Sequence, residues 1–337
     1  MAGSNNWSAT GWATSSGGTP AVNNFPLAQD TAVIDNSSAG TALTFAAGEG
    51  TWNVGSISFT RTSSFPITIL FDTYFNGNVS LTSFANIIGG GNFIFTGNSS
   101  KTLSANGASW SAFILMYGGT VTLGSAITSS STFYIDSGVA GTFALAGLTA
   151  TFSSFSIPSG VSVPTLNLGS NGTLVITGAG ASAFSCQNSS ATFSGTGTIS
   201  LTSASAKTFV GFSKSYPYTL NNGGTGALTV SGSNTFTGIA NSVQPTTLTF
   251  AAGTTQTVTN FNVSGTAGNL VTINSTTASP ATLSKASGIV NASYLSITNS
   301  TATGGATWNA LNSTDGGGNT GWIFASPASA NFLMMFM

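Results

Sequence analysis

The sequence contains no histidine, a single cysteine and only 3% charged residues, and each scarcity closes off a class of function. Without histidine the chain lacks the commonest general base near neutral pH and the commonest metal ligand. A Ser-His-Asp triad cannot be assembled. One cysteine, Cys186, forbids an internal disulfide framework. Charged residues make up about a quarter of an average soluble protein, so this surface must be built from uncharged polar groups. The basic residues Arg61, Lys101, Lys207, Lys214 and Lys285 are scattered, so no patch suited to nucleic acid is present. Long apolar runs are missing as well. The longest, Ala112 to Tyr117 and Phe332 to Met337, fall far short of the roughly 20 residues that cross a bilayer, so no membrane span is expected. The segment Met1 to Trp7 carries neither the basic region nor the apolar core of an export signal.

Aromatic residues are plentiful. The chain has 24 Phe, 6 Trp and 6 Tyr with only 9 Pro, a composition opposite to that of disordered chains. Left unfolded, such a chain would aggregate through its β-prone segments. Apolar residues also alternate with Ser, Thr or Asn along the whole length. Leu43-Thr44-Phe45, Ile57-Ser58-Phe59, Val79-Ser80-Leu81, Val121-Thr122-Leu123 and Leu166-Asn167-Leu168 follow this pattern. So do Ile199-Ser200-Leu201, Leu228-Thr229-Val230, Phe261-Asn262-Val263 and Leu295-Ser296-Ile297. This is the period-2 signature of half-buried strands. Phe93-Ile94-Phe95 and Leu174-Val175-Ile176 are apolar throughout and read as strands covered on both faces. Gly- and Asn-rich turns such as Gly89-Gly90-Gly91-Asn92 separate them, and helical periodicity is nearly absent.

Many short, closely spaced strands fit an all-β parallel β-solenoid or a set of stacked β-sandwich domains. Self-similarity favours the solenoid, because Leu43-Thr44-Phe45-Ala46-Ala47-Gly48 recurs as Leu248-Thr249-Phe250-Ala251-Ala252-Gly253. In a solenoid, coils stack at about 4.8 Å through backbone hydrogen bonds, and burial with backbone pairing replaces charge as the source of stability. End coils expose unpaired edges and require caps. The expected organisation is an N-terminal cap or attachment segment over 1–40, a solenoid body over 41–305, and a C-terminal cap with an apolar docking tail over 306–337. Within that tail Phe332, Leu333, Met334, Met335 and Phe336 are the candidate partner-docking residues, since Met-rich segments are adaptable contact surfaces.

With Asn6-Trp7-Ser8, Ala32-Val33-Ile34-Asp35 and Val54-Gly55-Ser56-Ile57-Ser58-Phe59 at one end, and Asn312-Ser313-Thr314-Asp315 and Asn319-Thr320-Gly321-Trp322-Ile323-Phe324 at the other, the chain resembles bacteriophage β-helix structural proteins. That group includes tail fibres, tailspikes and head fibres. The resemblance implies a virion protein, extracellular after release, assembled as a homotrimer with other virion proteins and contacting host surface polysaccharide. A capsid decoration without receptor binding and a bacterial surface adhesin are the alternatives.

Tailspikes raise the further alternative of a polysaccharide depolymerase, which needs two carboxylates in reach of one bond. The acids are Asp30, Asp35, Glu49, Asp72, Asp136 and Asp315; Asp72 and Asp136 are the mid-body candidates. Asp315-Gly316-Gly317-Gly318-Asn319 lacks the alternating acidic ligands of a calcium loop. No catalytic residue, metal ligand or cofactor site is expected. Glycan recognition by exposed rings is the better-supported activity, and the candidates are Trp110, in Ser109-Trp110-Ser111, and Tyr216 and Tyr218, in Tyr216-Pro217-Tyr218.

Overall fold

In the computed structural model the chain is described over residues 12–15, 18–19, 21, 26–38, 41–45, 52–136 and 138–325. These residues hold β-strands and no helix, and the strands pair in parallel as a β-solenoid of about 12 turns in total. The chain divides into two compact units, Met1–Ser200 and Leu201–Met337.

Most coils of the first unit carry three short strands, so a strand pairs with the one three positions later. One sheet runs from Thr31–Ile34 through Ser56–Phe59, Val79–Ser80, Ser100–Ser104 and Gly119–Leu123. A second contains Leu43–Phe45, Phe65–Ile69, Ala85–Ile88 and Ser109–Trp110. A third runs Trp52–Val54, Thr73–Phe75, Asn92–Thr96, Phe113–Tyr117, Thr132–Ile135 and Ser154–Ile157. Because pairing is parallel and in register, equivalent side chains of successive coils lie directly above one another. Alternation then sends one set inward and the next outward.

The inward columns are the core. On the third sheet, Phe93, Ile114, Phe133, Phe155 and Phe184 form one column, and Val54, Phe75, Phe95, Met116 and Ile135 lie in the column beside it; all are buried. Their rings meet face to face or edge to face: Phe75 stacks on Phe93 at 3.7 Å, and Phe133 on Phe143 at 4.0 Å. Phe133 also contacts Phe152 and Phe155, at 5.0 and 5.7 Å. Such ring pairs add to the free energy of area burial. Corners are made by residues that tolerate positive φ. Asn106 and Gly107 adopt φ of 47° and 81°, and the Ala108 N–H closes the turn onto the Ala105 carbonyl at 2.8 Å. That is the Asn-Gly turn chemistry of a primed β-turn. At another corner a Cβ on Gly89 would stand 1.9 Å from the Ile69 carbonyl of the preceding coil, so only glycine lets the coils approach there.

In the second unit the first coils pair one short strand with one long one. Lys207–Val210, Leu228–Ser231, Thr246–Phe250, Val271–Ser275 and Leu295–Ile297 form one parallel sheet. Ser215–Asn222, Thr235–Asn241, Thr255–Asn262, Ala281–Ser284 and Ser300–Thr303 form another. A register shift between Tyr216 and Thr219 bends the long strand at Pro217, and a bulge is where a strand admits proline. Later coils add a third sheet, Ile289–Ser293, Thr307–Leu311 and Trp322–Ala325, in which Trp308 and Trp322 pack edge-on at 5.1 Å.

Strand pairing continues outside residues 41–305 at both ends. Thr31–Ile34 already pairs with Ser56–Phe59, so the first unit's ladder begins inside the segment expected to cap it. Thr307–Leu311 and Trp322–Ala325 extend the ladder past residue 305. Both ends carry the same alternating pattern as the body, and backbone pairing follows that pattern. The docking candidates Phe332, Leu333, Met334, Met335 and Phe336 lie outside the described residues.

Two lysines are buried inside the stacks. Lys101 Nζ donates to the carbonyls of Gly97 and Ser99, at 3.1 and 3.0 Å. Lys207 Nζ donates to those of Ser203 and Gly226, at 2.9 and 2.7 Å. In each case the ammonium sits at a coil corner where carbonyls turn inward. Burial lowers the pKa of both, that of Lys207 to about 8. The folded value lies below the unfolded one, so between about pH 8 and about pH 10.4 the unfolded chain binds the extra proton and stability rises with pH.

Two outcomes follow for thermal melting. Phe133→Ala leaves a cavity among three ring contacts and destabilises the protein by about 3–5 kcal/mol; a melting curve superimposed on the parent's would contradict that packing. The melting temperature of the parent rises from about pH 8 to about pH 10, and the rise shrinks in Lys207→Met. Equal slopes in the two proteins would mean that Lys207 does not titrate in this range.

Candidate binding face

The three aromatic candidates are inside the solenoid. Trp110 is 3% exposed, and Tyr216 and Tyr218 are each 1% exposed. Trp110 packs edge-on against Phe93 at 4.8 Å. Tyr216 stacks on Phe236 at 5.3 Å and donates its hydroxyl to the Gly211 carbonyl at 2.7 Å. None offers a ring face to a sugar, so the expectation is corrected to core packing. The reason is periodicity. In Ser109-Trp110-Ser111 and Tyr216-Pro217-Tyr218 the aromatic positions are the inward phase of a strand, and their neighbours are the outward phase.

The acids do not converge. Asp30, Asp136 and Asp315 accept from the backbone N–H groups of Leu27, Gly138 and Gly317, at 2.8, 2.6 and 2.9 Å. Asp315 also takes the Asn319 side-chain N–H at 2.6 Å, so that turn meets its carboxylate with donors where a cation would need acceptors. Among the described residues no group of three or more Cys, Asp or Glu could hold a metal ion. Glu49 lies outside the described residues. Asp72 and Asp136 border the same sheet, but register puts them three coils and four residues apart. At about 4.8 Å per coil and 3.3 Å per residue this is about 19 Å. Paired carboxylates in glycoside hydrolysis stand about 5–9.5 Å apart.

Between those two acids lies a surface that alternation alone did not reveal. The outward column of the third sheet in the first unit reads Tyr74, Ile94, Leu115, Tyr134 on four successive coils. Phe113 stands beside Asn92 and Thr132 in the flanking column, and Tyr117 beside Thr96 in the other. Phe113 and Tyr134 rings lie 6.0 Å apart. Tyr74, Phe113, Leu115 and Tyr134 are half-buried, Tyr117 is 45% exposed, and Ile94 is covered by its neighbours on the adjacent coils. The same column continues as Asn53 at one end and as Ser156 and the buried Ser185 at the other. The remaining exposed apolar side chains, such as Val161, Phe212 and Ile289, belong to other strands and loops.

Polar groups frame the patch. Asp72 accepts the Asn92 side-chain N–H at 2.7 Å on one corner, and Asp136 stands at the diagonally opposite corner. The Tyr134 hydroxyl is held protonated beyond its ordinary range by burial and by the Asp136 charge, and so remains a donor. The arrangement is a flat, rigid platform of rings and aliphatic groups with hydrogen-bonding edges. It suits a ligand with apolar C–H faces and polar rims. The sequence did carry a signal for it: Phe113-Ile114-Leu115-Met116-Tyr117 is apolar in both phases, beside a strand, Phe93-Ile94-Phe95, with the same property. Leu174-Val175-Ile176 differs, since Val175 is only half-buried.

No protein-family model, curated protein or solved structure matches the chain. Among the described residues no helix is long and apolar enough to cross a membrane.

Accessibility separates the face from the earlier candidates. Tyrosine nitration under native conditions modifies Tyr117 and spares Tyr216 and Tyr218, read by peptide mass spectrometry. Rapid nitration of Tyr216 would contradict its place in the core.

Proposed function

We propose that this chain is a structural and adhesive protein of a bacteriophage particle, a fibre or spike whose solenoid contacts surface glycans of the host. The observation that carries the adhesive part is the outward face of Tyr74, Phe113, Leu115, Tyr117 and Tyr134, a contiguous aromatic and aliphatic patch on a Ser- and Asn-rich surface. Contiguous exposed apolar patches mark interaction sites, whereas single exposed residues do not. A ring presents a negative π-face, and the C–H bonds of a sugar ring carry the complementary partial positive charge. Tyr hydroxyls, Asn92, Thr132 and the two acids supply hydrogen bonds to sugar hydroxyls.

The structural part rests on the stack itself. In-register parallel coils stack within each unit, and among the described residues no cluster of three or more metal-ligating side chains and no disulfide accompanies them. The virion setting and the homotrimer rest on the resemblance of the terminal motifs to phage β-helix proteins.

Binding of the purified chain to bacterial cells tests the adhesive reading. Binding drops on periodate oxidation of the cell-surface carbohydrate, and Tyr117→Ala weakens it about tenfold, the effect of one aromatic anchor. Undiminished binding by a Phe113→Ser/Tyr117→Ala variant would exclude this face. Mass spectrometry of purified phage particles tests the setting: the chain is a stoichiometric particle component, and its detection only in a bacterial envelope would make it an adhesin.

A further inference from the structure

The charge of the aromatic face is of one sign. Asp72 and Asp136 stand at its opposite corners, and among the described residues neither pairs with a basic side chain. Each has one oxygen occupied by a neutral donor, Asn92 Nδ2 or the Gly138 N–H. The two basic residues of the first unit are committed elsewhere. Arg61 lies over the Phe65 ring at 4.9 Å and donates to the Ser38 carbonyl at 2.7 Å. Lys101 is buried against the carbonyls of Gly97 and Ser99. Among the described residues of the first unit, a ligand reaching the platform therefore meets π-faces and carboxylates and no uncommitted basic side chain.

Both features act in the same direction on a charged ligand. Carboxylates attract ammonium groups and repel carboxylate, sulfate or phosphate. Aromatic faces attract cations through the ring quadrupole, most strongly for groups within about 6 Å of the ring centroid. Sugar chains that carry acidic groups are excluded by the same two terms.

On this basis, and resting on the reading of the face as a glycan platform, we propose that its ligand is a polysaccharide bearing free amino groups. The sugar C–H faces pack on Tyr74, Leu115, Tyr117 and Tyr134, and ammonium groups of the chain bind Asp72 and Asp136. With the acids about 19 Å apart by register and coil spacing, one extended chain crosses the platform diagonally and meets both.

Oligomers of glucosamine and of N-acetylglucosamine are the test pair, because they differ in the charge of the amine and share a sugar ring and linkage. Isothermal titration of the full chain at low salt should give about tenfold tighter binding of the glucosamine oligomer, the effect of two solvent-exposed ion pairs. The gap should close in Asp72→Asn/Asp136→Asn and at about 0.5 M salt, where the Debye length is only a few ångströms. Tyr117→Ala should weaken both oligomers. Equal binding of the two oligomers, with loss on Tyr117→Ala, would overturn the amine preference and leave the glycan platform standing. Binding of neither oligomer, or binding insensitive to Tyr117→Ala and Phe113→Ser, would overturn both.

Discussion

The structure depends on one interaction repeated down each unit, the in-register parallel hydrogen bonding of each coil onto the next. Register fixes which side chains lie above which, so a single apolar residue type repeated at equivalent positions becomes a continuous column. The Phe93–Phe133–Phe155–Phe184 column and the Leu228–Leu248–Ile273–Ile297 column are both products of this rule. Every coil buries its inner residues against two neighbours, and charge is not needed. That accounts for a stable fold with 3% charged residues.

The same rule governs the polar groups of the interior. Corners are the one place where carbonyls turn away from the ladder, and there Lys101 and Lys207 direct their ammonium groups at them. Other interior amides and hydroxyls bridge coils, as when Asn234 donates to Gln256 at 3.0 Å and Asn222 to Thr246 at 2.7 Å. The outer surface inherits columns as well. Where the outward phase is Ser or Asn, the surface is polar; where it is Tyr, Leu and Phe on consecutive coils, a contiguous apolar face arises at no cost to the core.

Alternation made the fold legible. Each of the nine alternating triplets coincides with a strand or its edge, and Phe93-Ile94-Phe95 is covered on both sides as its composition implied. The site was less legible. Trp110, Tyr216 and Tyr218 looked loop-like because Ser and Pro flank them, yet flanking residues in a strand belong to the opposite face. The platform needed a different observation, two neighbouring strands apolar in both phases, and that signal has meaning only when the strands are known to be adjacent.

The sequence by itself determined the class of the fold, because period-2 patterning, abundant β-formers and the absence of helical stretches leave β-sheet as the way to bury its aromatics, and self-similarity favoured the solenoid over stacked sandwiches. It also excluded histidine-based catalysis and disulfide scaffolding. Only the tertiary structure decided which coils stack in which register, and therefore that Tyr74, Leu115, Tyr117 and Tyr134 share a face while Asp72 and Asp136 stand apart at its corners. The turns vary in length from coil to coil, so sequence separation does not give the register. Backbone pairing sets it, and with it the neighbour relations of the side chains on every face.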